Sequence, residues 1–293
     1  MSLTCSCSSC PAHGKSPADS PKYPFYPSSS LIDAEWALLE PLLPRPGNTA
    51  GRGGRSEKWP RRLVLDAIFY LVRGGIAWMQ LPHDFPPAKT VYDICLRWAK
   101  AVAWQRIHDM LRDRFRVCAG RNPQPSAAVI DSQTVRGADT VAAGTAGYGA
   151  AKKTKGRKRH IATDTTWLLL AVVVTAACIQ DRDAAHRLLA AVCARFATIT
   201  LVFADGGYAG RLVSWSKSVV VLAIQIVKRS DTTAGFEVLP RRWVVERTFG
   251  WLTKHRRLVR DYETRPNHHE AMIYIAAIRT LTRRLAHRTG QQS

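Results

Sequence analysis

The chain has 293 residues, 46% of them hydrophobic, and carries 43 Lys and Arg against 22 Asp and Glu, a formal net charge of +21. Such a length allows a substantial core and room for two domains, and so large a positive excess calls for a polyanionic partner, either nucleic acid or an anionic membrane surface. A spanning segment is excluded: the most apolar run, Trp167 to Ile179, is too short to cross a bilayer and contains Thr175 and Cys178.

Residues 1–25 are rich in Ser, Pro and Cys and are expected to be a disordered tail. They contain no secretory apolar run, so the expected location is the cytoplasm. Cys5, Cys7 and Cys10, with His13 nearby, are zinc-ligand types, but no folding signal surrounds them. The remaining cysteines read as buried thiols of a reducing compartment.

Helical spacing begins near Leu31. Asp33 is the expected cap of a helix carrying Trp36, Leu38, Leu39 and Leu42, which Pro41 and Pro44 end. A basic, Gly-rich loop follows from Arg45 to Arg55. Leu63, Val64, Ala67, Ile68, Leu71 and Val72 mark a second helix that Gly74-Gly75 stops. Thr90 is the expected cap for one or two more helices, running through Val91, Ile94, Trp98, Trp104, Ile107, Leu111 and Phe115. Residues 26–120 thus read as a small all-helical domain of about four helices. Its size suits a helix-turn-helix-like DNA binder with Lys89 to Arg97 as the recognition-helix candidate. Packing on a neighbouring domain is the competing role.

After a polar linker, Arg121 to Ser126, the pattern turns to short β-rich runs. Strands are expected at Ala127–Asp131, Ile199–Ala204 and Val219–Val227, with a hairpin from His160–Thr165 and Leu168–Val174. Helices are expected at Ala184–Phe196, Gly210–Lys217, about Pro240–Arg260 and His269–Ala286. Alternation after an initial hairpin makes 121–287 an α/β domain built on a mixed sheet, with 288–293 a terminal tail.

Three acids stand out against the positive background. Asp131 and Asp205 each follow a β-branched run, where a strand hands a carboxylate to a cleft. Taken singly, a strand-end Asp is usually a turn residue, and Asp-Gly-Gly after Ala204 is good turn chemistry. Glu246 is the only acid between Arg241 and Arg260, a stretch with seven Lys and Arg. A second basic run, Lys152 to His160, holds six Lys and Arg in nine residues. On the helix of Glu246, Arg242 lies one turn before it and Lys254 two turns after. Carboxylates in a positive field suit a divalent metal acting on a phosphodiester.

The sequence resembles insertion-sequence transposases of the IS5 group, within the IS4-like superfamily. The resemblance rests on Asp-Ala-Glu-Trp-Ala-Leu-Leu-Glu-Pro-Leu-Leu-Pro from Asp33, Ile-Asp-Ser-Gln-Thr-Val from Ile130, Lys-Gly-Arg-Lys-Arg-His from Lys155, Gln-Asp-Arg-Asp-Ala from Gln180, Ala-Asp-Gly-Gly-Tyr-Ala-Gly from Ala204 and Arg-Arg-Trp-Val-Val-Glu-Arg-Thr-Phe-Gly-Trp-Leu from Arg241. It covers about Tyr26 to Leu285. It implies an RNase H-like catalytic domain with a DDE triad of Asp131, Asp205 and Glu246, which would also be the ligands of two Mg²⁺ ions, with Mn²⁺ as the substitute. It implies binding to double-stranded DNA at terminal inverted repeats and at a target, hydrolysis at the element end and transfer of the freed 3′-hydroxyl. A homodimer on DNA, bacterial and associated with the nucleoid, is the implied working form. Lys153, Lys155, Arg157, Lys158, Arg159, His160, Arg242, Arg247 and Lys254 are the expected DNA contacts. A nuclease of the same fold without strand transfer, and an inactive DNA-binding copy, are the rival readings.

The chain departs from the family's pattern in four places. Leu239 and Thr253 replace Tyr and Lys around Glu246, so that Lys254 or Arg256 would supply the distal cation. Trp167 stands where related sequences have glycine, and Gly149 where an acid is common.

Overall fold

In the computed structural model, residues 25–46, 56–227 and 243–289 are described. The expected tail with its Cys5, Cys7, Cys10 and His13, most of the Gly/Arg-rich loop, Leu239 and Arg242 lie outside the described residues.

The first part is helical: α1 (Asp33–Leu39), α2 (Arg61–Gly74), α3 (Ala88–Lys100) and α4 (Ala103–Cys118). Its start differs in detail from expectation. Ile32, not Asp33, is the N-cap residue, and its N–H donates to Glu35 Oε2 at 3.1 Å. Asp33 instead pairs with Arg62 at 2.6 Å. α2 ends at Gly75, whose φ of 73° is the left-handed geometry that glycine supplies cheaply. α3 and α4 are separate helices because Val102 takes a φ of 55° between them.

The second part is a six-stranded sheet flanked by helices. β1 (Ala127–Arg136) pairs antiparallel with β3 (Thr154–Asp164), which pairs with the short β2 (Gly147–Gly149) and with β4 (Leu169–Ala176) on its other edge. On the opposite side of β1, β5 (Leu201–Ala204) and β6 (Ala223–Ile226) add in parallel. α5 (Asp181–Cys193) connects β4 to β5, α6 (Arg211–Val219) connects β5 to β6, and α7 (Trp243–Thr253) and α8 (Pro266–Thr289) follow. A β3–β4 hairpin, a central β1 and two parallel strands beyond it constitute the RNase H-like arrangement.

Two differences from the expected elements matter for function. β1 continues five residues past Asp131, and β3 begins six residues before His160. Lys155 to His160 of the basic run therefore lie on β3, and Lys152 and Lys153 precede it in a turn. The run Pro240 to Arg260 is not one helix: α7 stops at Thr253 and a separate 3-10 turn covers Arg256–Leu258.

Both faces of the sheet are covered. On one, Ala128, Ile130, Ala162 and Val202 pack with Leu188, Leu189 and Val192 of α5. On the other, Val129, Ile161 and Phe203 join Val245 and Phe249 of α7, Met272 and Ile275 of α8, and Ile68, Trp104 and Leu111 of the helical part. α8 packs against α1, α2, α4 and β4. The hydrophobic core thus runs continuously across residue 120. A buried pair, Arg279 to Glu35 at 2.7 Å, ties α8 to α1. Removing either partner would strand a buried charge at a cost of about 3–5 kcal/mol.

Candidate active site

The pairing of β1 with β5 fixes the positions of two of the three acids. Ala127, Ala128 and Val129 lie beside Leu201, Val202 and Phe203 in parallel register. Two residues beyond the last pair, each chain reaches an aspartate, Asp131 and Asp205. Side chains alternate along a strand, so Asp131 shares the face of Val129 and Asp205 that of Phe203. That is the face covered by α7. Asp131 also pairs in register with Ile161, a residue of the same core. β5 ends at Ala204 while β1 runs on, so Asp131 sits where β1 loses its parallel neighbour. This is the carboxyl-end crevice where α/β sheets place ligands.

Local hydrogen bonds orient both carboxylates. Ser132 N donates to Asp131 Oδ1 at 2.7 Å, and Gly207 N donates to Asp205 Oδ1 at 2.9 Å. Asp205 is thus also the cap of the Gly206–Tyr208 3-10 turn, so its turn chemistry and its placement at the crevice coexist. Tyr208 is buried in the core of the opposite face with Ala128, Ile130 and Val202, and its phenol is pushed well above the usual range by burial first and then by the charges of Asp131, Asp181 and Asp205. Negative charge therefore concentrates around Tyr208. Asp181, at the start of α5, is a member of this group that sequence reasoning did not single out, although it stands within the Gln-Asp-Arg-Asp-Ala motif.

Glu246 lies in the first turn of α7, exposed, next to the buried Val245. α7 packs on β1 and β3, which puts Glu246 on the helix that covers the face bearing Asp131 and Asp205. Among the described residues no three His, Cys, Asp or Glu side chains are grouped closely enough to hold one metal ion. The donor chemistry suits a hard divalent cation: two aspartates on neighbouring strands concentrate the charge such an ion offsets, with oxygen ligands only.

The expected DNA contacts divide sharply. Lys153 and Lys155 are exposed, Lys153 in a left-handed turn with φ 47°. Arg247 and Lys254 are exposed on and just beyond α7, and Arg247 stacks over Trp243 and Trp251. Arg157, Arg159 and His160 are instead inside the protein, contrary to expectation. Arg157 pairs with Asp261 at 2.9 Å and donates to the carbonyls of Glu263 and Thr264, both at 2.8 Å. Arg159 donates to Gln133 Oε1 and to the Leu258 carbonyl, each at 2.9 Å, and lies over Phe249. Burial lowers its guanidinium to about 10. His160 Nε2 meets Thr175 Oγ1 at 2.9 Å, and burial lowers its imidazole to about 4. Lys158 is half-buried and bound to Asp181 at 3.0 Å and the Ile179 carbonyl at 2.8 Å. The physical reason is that β3 is a central strand with helices over both faces, so most of its cations became core anchors. A strand-long basic run carried no sign of that from composition alone.

Trp167 explains its own departure. It occupies the hairpin turn between β3 and β4 with φ 79°, a conformation that suits glycine. Its ring meets Trp251 edge-on at 4.3 Å and Phe115 at 5.3 Å, and Thr248 Oγ1 donates to its carbonyl at 2.9 Å.

The fold is that of the DDE transposase domains, an RNase H-like sheet with a helical region before it. Residues 122–281 match the transposase DDE domain family, and the chain belongs to it. Residues 31–108 match the transposases of the IS4/5 family. A curated relative, the "Insertion element IS402 uncharacterized 16.2 kDa protein" of Burkholderia cepacia, is 33% identical over 117 residues, which span 36% of this chain and 73% of that protein.

Proposed function

We propose that the protein is the transposase of an insertion element: it binds the element's terminal inverted repeats, cleaves at the element end and joins the freed 3′-hydroxyl to target DNA. One observation supports this reading most directly, the equal register of Asp131 and Asp205 on the sheet face that α7 covers. Asp131, Asp205 and Glu246 are the residues that would hold the metal. When bound, Mg²⁺ or Mn²⁺ supplies Lewis-acid activation at the reacting phosphate. Asp131, Asp205 and Glu246 would hold the cation, and its charge would offset their mutual repulsion.

Exposed Lys153, Lys155, Arg247 and Lys254 are the side chains that would grip backbone phosphates, and Arg242 joins this set from its sequence position. The excess positive charge draws DNA to the surface without reading its sequence. Reading the repeats falls to the helical part, where Lys89 and Arg97 are exposed on α3. Two element ends must be joined in one event, so a homodimer on DNA is the working form. Among the described residues no helix is long and apolar enough to cross a membrane.

The test is a cleavage assay on DNA carrying an element end, with Mg²⁺. Asp131→Asn should abolish cleavage and leave binding nearly intact. Equal cleavage by wild type and variant would overturn the reading. Pre-cut ends separate a transposase, which joins them to target DNA, from a nuclease, which yields no joined product.

A further inference from the structure

A cation-rich cavity lies apart from Asp131 and Asp205. It has a volume of about 310 Å³ and is formed where α2, the end of α7 and α8 meet. Arg73, Lys254, His255, Arg279, Arg283 and Arg284 line it. Among the described residues no carboxylate does. Glu35 lies behind the wall, bonded to Arg279 at 2.7 Å and 3.9 Å from Arg283, so it offsets only part of the charge.

Two buried nitrogens on residues that line this cavity have no hydrogen-bond partner among the described residues. They are His255 Nδ1 and Arg279 Nε, on residues 6% and 4% exposed. Leaving such a group unsatisfied is costly, and the cost is recovered when a hydrogen-bond partner enters. His255 is held neutral by burial and then by the charges of Arg73, Arg279 and Arg283, which lower it to about 4. A neutral imidazole donates one hydrogen bond and adds no further charge. The walls are also braced. Arg73 Nη1 donates to the Lys254 carbonyl, and Arg284 is stacked on Trp251 at 4.0 Å and on Trp167 at 4.2 Å.

We propose that this cavity is a binding site for a backbone phosphate of DNA, built jointly by the helical part and the C-terminal helices. Guanidinium forks contributed from α2 and α8 match a tetrahedral oxyanion with several acceptor oxygens. The mouth is continuous with exposed Lys254 and Arg283. Lys254 lies about two helical turns, roughly 12 Å, beyond Glu246. A strand passing the acids therefore reaches the cavity within a few nucleotides. Because α2 and α8 both contribute, DNA held here would lock the helical part against the sheet. The inference rests on the DNA-processing role proposed above.

The test is DNA affinity of the full chain as a function of salt. Arg283→Gln, and the double variant with Arg73→Gln, should each lower the steepness of log K against log salt, by about one for the first and about two for the second. Lys217→Gln, an exposed cation of α6 outside the cavity, is the charge-matched control and should match wild type. Circular dichroism melting checks that each variant folds. If wild type binds DNA and both cavity variants keep its slope and affinity, this inference fails alone. If wild type does not bind DNA, the underlying role fails. ³¹P line broadening of inorganic phosphate supplies the second arm. Broadening lost in the variants while their DNA binding is unchanged would make the cavity a site for free phosphate and overturn the DNA assignment.

Discussion

Asp131 and Asp205 stand two residues beyond the Val129–Phe203 pair on neighbouring parallel strands, so a shared register holds them on one face of the sheet. Strand geometry, not loop conformation, sets their separation, which makes the pair rigid. Each is also oriented by one backbone N–H, from Ser132 and Gly207 respectively. Asp205→Asn should therefore weaken Mn²⁺ binding by more than the roughly 10–100-fold typical of losing a supporting hydrogen bond. Titration calorimetry on the folded variant reads this directly. Affinity equal to wild type would exclude Asp205 as a ligand.

The basic run of β3 should divide into structural and DNA-facing cations. Arg157 is fully buried against Asp261, and Arg157→Met would remove that carboxylate's guanidinium partner and leave it only His269 at 3.0 Å and the Glu263 N–H, at a cost of about 3 kcal/mol. Lys155 is exposed, and Lys155→Gln should change stability by no more than about 0.5 kcal/mol while reducing the salt dependence of DNA binding by about one. Urea melts and filter binding on both variants check the division. A stable Arg157→Met protein with reduced salt dependence would return Arg157 to the DNA surface.

That division also shows what the sequence could and could not reveal. Short apolar, β-branched runs leading to Asp131 and Asp205 are readable because composition and turn chemistry are local. The register of β1 against β5 is not local, yet it follows once both runs are strands of one parallel pair. The fate of Arg157 and Arg159 depends on Asp261, Gln133 and Leu258, brought up from distant parts of the chain. Charge density alone carries no information about those partners. The continuity of the core through α8 was hidden for the same reason. His269 to Ala286 announced a helix, but its four-sided packing on α1, α2, α4 and β4 depends on tertiary placement.

Trp167 gives a backbone prediction with a defined order. Its φ of 79° costs a non-glycine residue about 1–2 kcal/mol. Trp167→Ala loses the contacts with Trp251 and Phe115 and keeps that strain. Trp167→Gly loses the same contacts and relieves it. The glycine variant should therefore be the more stable of the two by about 1 kcal/mol, both lying below wild type. Thermal melts give the order, and an alanine variant as stable as the glycine one would mean that the turn is not left-handed in solution.

Stability should fall on acidification below neutrality. Burial lowers His108, and lowers His160 and His255 to about 4, whereas an unfolded chain titrates its imidazoles near 6.5. Between about pH 6.5 and 4 the unfolded state thus binds more protons at these positions, so stability rises with pH across that window and is lost as pH falls through it. Asp66 acts in the opposite sense. Burial raises its carboxyl to about 7, so between about pH 4 and 7 the folded state holds the extra proton and stability declines as pH rises. Glu270, raised by burial, works with Asp66. With His268, which burial also lowers, four imidazoles against two carboxyls leave a net loss towards acid. Urea midpoints at pH 7 and pH 5 should differ in that direction. His255→Gln should narrow the difference by removing one proton-binding site of the unfolded chain, and Asp66→Asn should widen it by removing one opposing carboxyl. A wild-type midpoint higher at pH 5 than at pH 7 would show that the carboxyls outweigh the buried imidazoles.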